Sequence, residues 1–195
     1  MRVQITTFLG ADVEEYSKLS ESKVQSMEIY CAKHLDEKLS YHGAYFRKIK
    51  ETGEKLKIQR LICKRCNNDF GGGTVSILPD FLLPRKHYSA NEIESVVKQN
   101  EEGVAVYDIE TEASVPTVRR WLHEMKETMQ KWISLLKTIV MEETKGFISE
   151  AILAPLPQTE QLSELLDKLR PIKYSGNVLG RANIWLSDRL RLFST

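Results

Sequence analysis

The chain is poor in cysteine: three in 195 residues, an odd number. A disulfide framework is therefore not expected, and metal binding or free thiols in a reducing compartment are. No run of about 18 apolar residues occurs, so no membrane span is expected. The start, MRVQITTFLGADVEEYS, lacks a basic opening followed by an apolar stretch. A secretory leader is thus not expected, and a cytoplasmic protein is. Internal repeats and low-complexity tracts are also missing, and the net charge is only +1. What remains is 42% hydrophobic and 28% charged, the balance of a folded globular chain rather than a disordered one. Its length suits one ordinary domain or two or three small ones.

The small net charge hides an uneven distribution. Residues 41–88 carry ten Lys/Arg against four Asp/Glu, a balance of +6, and residues 89–125 carry three against eight, a balance of −5. The basic character surrounds the cysteines. It suits a phosphate-facing surface, and equally a solvated hairpin whose edge lysines discourage strand pairing.

Cys63 and Cys66, in LICKRC, form a Cys-x-x-Cys knuckle, half of a tetrahedral zinc site. Thirty residues upstream, YCAKHL places Cys31 and His34 in a Cys-x-x-His pair with the same gap. Two such turns close a Cys₃His set when a hairpin joins them. HGAYFRKIK and KLKIQRLIC are strand-like, and ETGE between them offers a glycine turn. The expected module is a zinc ribbon ligated by Cys31, His34, Cys63 and Cys66. His42 remains a rival for the fourth position, although the symmetric spacing favours His34. Four protein ligands leave no position for a substrate water, so a catalytic zinc is not expected. The glycines in NNDFGGG precede no Gly-Lys-Ser/Thr and read as a loop leaving the ribbon rather than a phosphate cradle. ILPDFLLP then reads as a buried connector, with Phe81, Leu82 and Leu83 packing inward and Pro84 ending it.

From Ser89 the pattern becomes helical. SANEIESVVKQ has Ser89 as N-cap and Glu92 three residues on, the capping-box spacing. VAVYDIETEA, residues 104–113, reads as a short second helix. A third starts at Ser114 with Pro116 in its first turn. This is the order of a helix-turn-helix. Val118, Leu122 and Met125 then face its core, while Thr117, Arg119, Arg120 and His123, with Pro116, lie on the exposed recognition end. Met129, Trp132, Ile133, Leu136 and Val140 continue one apolar side, a core stripe or a seam for a homo-oligomer through the 122–140 helix. Glu142, Glu143 and Glu150 read as solvent-facing. APLPQ breaks the chain at 154–158, TEQLSELLDKL is a further helix closed by Pro171, and GRANIWLSDRLRLF is a last one packing through Ile184, Leu186 and Leu190.

YHGAYFRK at 41–48, LICKRC at 61–66, TVSILPDFLLPRKHYS at 74–89 and SVPTVRRWL at 114–122 together resemble a family of bacterial proteins known only as a domain of unknown function. Its members look like the N-terminal DNA-binding parts of insertion-sequence transposases. The resemblance spans Cys31 to about Leu122, roughly half the chain. It implies a zinc ribbon followed by a helix-turn-helix, in a transposon-associated or regulatory protein. Two departures stand out: the family's first knuckle is normally Cys-x-x-Cys, and NNDFGGG lengthens the link after Cys66.

The expected fold is α+β, with an N-terminal segment at 1–30, a ribbon and connector at 31–88, a helix-turn-helix at 89–126 and a helical region at 127–195. The expected function is non-catalytic binding of Zn²⁺ and double-stranded DNA, without membrane contact. Arg47, Lys48, Lys57, Arg60, Lys64 and Arg65 are the expected phosphate contacts, and Thr117, Arg119, Arg120 and His123 the groove contacts. A transposase nuclease is not expected, because the remaining seventy or so residues read as helices without the strands that position two metal ions. Two rival readings are a zinc-stabilised protein-interaction module that never touches DNA, and a hydrolase using zinc with His42 or His87.

Overall fold

The computed structural model describes residues 3–70, 73–144, 148 and 150–192. Gly71 and Gly72 of the triple glycine, and the side chains of Glu150 and Leu190, lie outside the described residues. The elements in order are β1 (Val3–Thr7), α1 (Val13–Ser26), β2 (Ser40–Lys48), β3 (Lys55–Ile62), α2 (Lys64–Phe70), β4 (Thr74–Pro79), α3 (Ala90–Glu101), α4 (Val115–Thr144), α5 (Glu150–Leu153), α6 (Gln158–Asp167) and α7 (Val178–Leu192).

The expected hairpin forms. β2 and β3 pair antiparallel, with Tyr45 opposite Ile58 and Arg47 opposite Leu56. Gly53 turns the chain at a φ of 75°, which an L side chain seldom adopts. The hairpin belongs to a larger sheet in the order β1-β4-β3-β2, so the ribbon is not a free-standing module. β4, expected as part of a connector, is an inner strand, antiparallel to β3 and parallel to β1. Its Val75–Pro79 stretch is buried without alternation, as a strand covered on both faces requires. Phe81, Leu82 and Leu83 follow it into the interior as expected.

Residues 1–30, expected as a separate segment, supply β1 and α1 to the same core. Asp12 caps α1 by accepting the Glu15 N–H at 2.8 Å, and the Glu15 carboxylate accepts the Ala11 N–H at 2.7 Å. Tyr16, Ser20 and Val24 recur every four residues and form the buried stripe of α1. Against β3, the Tyr16 hydroxyl donates to the Lys57 carbonyl at 3.0 Å, and the Gln59 amide donates to Ser20 Oγ at 3.4 Å.

Ser89 caps α3 as expected, accepting the Glu92 N–H at 3.1 Å. The reciprocal half of the capping box goes elsewhere: Glu51, from the hairpin turn, accepts the Ser89 N–H at 2.6 Å, and Glu92 accepts the Thr111 hydroxyl at 2.5 Å. The short helix expected at 104–113 does not form. Its residues make a turn, bends and irregular backbone instead, so α3 and α4 lack the middle helix of a helix-turn-helix. Gly103, at a φ of 92°, ends the preceding helical turn. The Gln99 amide then replaces helical bonding, accepting the Glu110 N–H at 2.9 Å and donating to the Glu110 carbonyl at 3.2 Å.

α4 is one 30-residue helix across the expected boundary at 126. Val118, Met125, Met129, Ile133, Leu136 and Val140 are buried along it, with Trp121 added, and Leu122 and Trp132 are half-buried. The apolar side is thus a core stripe, packed on α3 and α6. α7 buries Ile184 and Leu186 and returns to the first strand, where the Asn183 amide donates to Thr6 Oγ1 at 2.8 Å. Two apolar cores result: one between α1 and the sheet, ending at Leu82, and one among the helices, beginning at Leu83. The α+β expectation holds.

Candidate metal centre

The first knuckle is the loop between α1 and β2, closed by antiparallel bridging of Tyr30 to Lys38. The Cys31 N–H donates to the Glu37 carbonyl at 2.9 Å, which curls Cys31 and His34 back over the sheet end. The second knuckle is the step from β3 into α2. Cys63 follows the last strand residue, and Cys66 lies one turn on, its N–H donating to Cys63 Sγ at 3.4 Å. The Lys33 N–H donates in the same way to Cys31 Sγ, also at 3.4 Å. Such N–H bonds stabilise sulfur in its thiolate form.

The knuckles bring four donor atoms together. His34 Nδ1 lies 3.9 Å from Cys31 Sγ, 3.5 Å from Cys63 Sγ and 3.4 Å from Cys66 Sγ, and Cys31 Sγ lies 3.5 Å from Cys66 Sγ. All four atoms are within 4.8 Å of one another, and the cluster could hold a metal ion. Ligands about 2.0–2.3 Å from a tetrahedral centre stand about 3.5–3.8 Å apart, so the observed separations fit such a set. The three cysteines are buried and unbridged. The sulfur–sulfur separation also exceeds the ~2.05 Å of a disulfide bond.

The electrostatics ask for a cation. Burial and the neighbouring Cys31 and Cys63 push the Cys66 thiol up to about 12. Burial also raises Cys31, but N–H bonds from Lys33 and His34 and the adjacent thiols outweigh it, and its thiol is lowered. A protein lacking a central positive charge cannot hold three thiolates this close, whereas a bound divalent ion deprotonates them together. Outside the cluster, Arg65 spans the knuckles with a forked bond to Asp36, 2.9 and 3.0 Å.

Gly73, which the sequence reading passed over as loop, is part of the site. A Cβ there would lie 2.8 Å from the Cys63 carbonyl and 2.9 Å from Cys66 Cβ. Its carbonyl accepts the Cys63 N–H at 3.0 Å. NNDF, also expected as loop, is the end of α2. His42 is exposed on β2 and outside the cluster.

The expected DNA contacts are spread over β2, β3, α2 and α4. Arg47 is a correction: it is buried, and its guanidinium donates to the Leu83 carbonyl at 3.0 Å, so it ties the sheet to the following segment and cannot meet phosphate. Lys57 pairs with Glu21 at 2.8 Å, and Arg65 is taken by Asp36. Arg60 is half-buried over the Tyr45 ring, its centre 5.8 Å from the ring centroid. Lys48 and Lys64 are exposed. On α4, Arg119 donates to the Tyr107 hydroxyl at 2.6 Å, and His123 lies 3.7 Å from Glu127. Thr117 and Arg120 line a cleft opposite residues 84–88, together with His87 and with Arg85, which the sequence reading did not single out. The signal for Arg85 was present, in the basic PRKH that follows the buried run.

Fold and site together define an α+β protein with a Cys₃His cluster at one end of a four-stranded sheet. Residues 31–121 match an uncharacterised family, described as a domain of unknown function (DUF6431). That span takes in both knuckles, the hairpin, β4, α3 and the start of α4. No curated protein and no solved structure matches the chain. No helix among the described residues is long and apolar enough to cross a membrane.

Proposed function

We propose that the protein is a non-catalytic zinc protein that binds double-stranded DNA. One observation carries the zinc half: four donors, three of them cysteine sulfurs, at the mutual distances of a tetrahedral site. Soft thiolates with one imidazole select zinc over calcium or magnesium. Cys31, His34, Cys63 and Cys66 would hold the ion, which supplies folding free energy by tying the α1–β2 loop to the β3–α2 step. With four protein ligands no position is open to substrate, which supports a structural role. Reduced thiols of this kind suit the cytoplasm.

The DNA half is supported by the basic balance of residues 41–88 and by the exposed cations Lys48, Lys64 and Arg120. A tie to transposase N-terminal regions rests on the sequence resemblance alone. Metal analysis and duplex binding on one sample test both halves. We expect one zinc per chain and an affinity that falls steeply between about 50 and 200 mM salt, as counterion release requires. A substoichiometric metal content sinks the first half, and salt-insensitive or absent duplex binding sinks the second.

A protein-interaction module is the second reading. It is favoured by exposed apolar side chains, Tyr30 at 51% and Leu35 at 56% in the first knuckle and Phe46 at 71% on β2 towards the hairpin turn. Replacing Phe46 and Leu35 with Ser separates the two, since only the interaction reading expects a loss of partner retention with duplex binding unchanged.

A further inference from the structure

A cleft of about 620 Å³ lies between residues 84–88 and the N-terminal half of α4. Lys50, Arg85 and Arg120 line it, all three exposed. Among the described residues none of these three cations is in an ion pair. A fourth cation, Lys86, is neutralised by Glu124, the only carboxylate among the described residues that line the cleft. His87 and the Thr117 hydroxyl add hydrogen-bonding groups, and Thr117 stands in the first turn of α4, where the helix dipole favours an anion. The cleft therefore concentrates positive charge on three separate segments of chain without a protein anion to match.

Its backbone is held for the purpose. Arg85 has a φ of 61° and, among the described residues, is the sole non-glycine in the left-handed region. That conformation persists only where surroundings enforce it. Here the Arg85 N–H donates to Gln4 Oε1 on β1 at 3.1 Å, and the Lys50 N–H donates to the His87 carbonyl at 2.8 Å. These two bonds tie the backbone of the 84–88 segment to β1 and to the hairpin turn, while the Lys86 and Tyr88 side chains reach Glu124 and Trp121 on α4.

We propose that this cleft is a phosphate-binding site in which Arg85 and Arg120 fork onto phosphate oxygens and Lys50 adds a point charge. Two arginines and a lysine exceed what one carboxylate can match, whereas a phosphate group accepts several charge-assisted bonds at once. The phosphate belongs either to a nucleic-acid backbone or to a free phosphorylated molecule. The first source rests on the DNA reading above, and the site itself does not.

The test uses the zinc-loaded chain and an Arg85→Gly/Arg120→Ala variant, glycine being chosen because it keeps the left-handed backbone without strain. Unchanged far-ultraviolet dichroism and melting establish that it folds. The probes are inorganic pyrophosphate and a short DNA duplex, titrated separately. We expect wild type to bind pyrophosphate and the variant to lose at least tenfold. With the duplex, the variant is expected to show a salt slope shallower by about 1.8, the loss of two phosphate contacts. Pyrophosphate binding that the variant loses, without duplex binding by either protein, supports the cleft with a free phosphorylated ligand and ends the DNA reading. Duplex binding that is the same in both proteins, without arginine-dependent pyrophosphate binding, overturns the cleft and leaves the DNA reading standing. Failure to bind either probe overturns both.

Discussion

The carboxyl of Asp80 is fully buried at the end of β4. One of its oxygens accepts the Ser175 N–H at 2.5 Å, and among the described residues the other has no partner at hydrogen-bonding geometry. Burial raises this group above the usual carboxylate range, so the fold favours its neutral form. Its stabilising contribution is therefore present below the unfolded carboxyl value of about 3.9, and is lost as pH rises through the raised folded value. Asp80→Asn should keep the Ser175 bond and remove the titration. Urea unfolding of zinc-loaded protein is expected to show the variant as stable as wild type or more so at neutral pH, with the advantage shrinking at lower pH. A loss of more than about 1 kcal/mol at neutral pH alone would mean that the ionised oxygen has a partner in solution. Arg47 shows the same effect for the opposite charge: burial lowers its guanidinium below its ordinary value, and the Leu83 carbonyl compensates one of its donors.

Among the elements, the α3–α4 connection is held by Gln99, with the Glu92–Thr111 and Arg119–Tyr107 bonds beside it. Gln99 binds both backbone groups of Glu110, while the Val104 N–H donates to the Gln99 carbonyl at 2.9 Å. These bonds hold residues 104–111 in a non-helical path against α3. Val104, Val106 and Ile109 turn their β-branched side chains to the helical core from that path. The same β-branching lowers their helix propensity. Gln99→Ala removes two partly solvated bonds, and we expect a cost of about 1 kcal/mol. Amide exchange should quicken at 104–111 and stay unchanged in the middle of α4. Faster exchange throughout α4 would show that the loop and the helix open as one unit. The thirty residues of α4 follow from a different cause, an unbroken apolar stripe whose burial requires α6 and α3 beside it.

For the whole molecule, the Cys₃His cluster belongs to the core between α1 and the sheet, and α4, α6 and α7 belong largely to the other. Zinc held there, as proposed, would act on folding directly, with an apparent binding free energy of about 10–16 kcal/mol in small zinc modules. Its removal should therefore be felt unevenly. With chelator, or in Cys66→Ser, hydrogen exchange is expected to accelerate first in the 30–38 knuckle, β2 and β3, while α4 and α6 keep their protection. Simultaneous loss everywhere would show that the contacts of α7 with β1 couple the two cores into one cooperative unit. Those contacts, Asn183 to Thr6 and Thr6 N–H to Ser187 Oγ at 3.3 Å, are the link to weaken in that event.

The amino-acid sequence alone determined what short-range chemistry specifies: the spacing of two knuckles, the hairpin with its glycine turn, the Ser89 cap and the apolar period of α4. Asp12 with Glu15, and the alternation in VQITT, were equally local signals for α1 and β1. Only the tertiary structure decided that β1 pairs in parallel with β4, seventy residues away, since strand partners are chosen by a shared core and not by their own sequence. It also gathered His34 and left His42 outside, buried Arg47 while exposing Lys48, and kept 104–113 from becoming a helix. Each of these turns on which distant group occupies the space nearby. Local sequence sets what a residue can do, and packing against remote segments sets whether water, metal or protein is its partner.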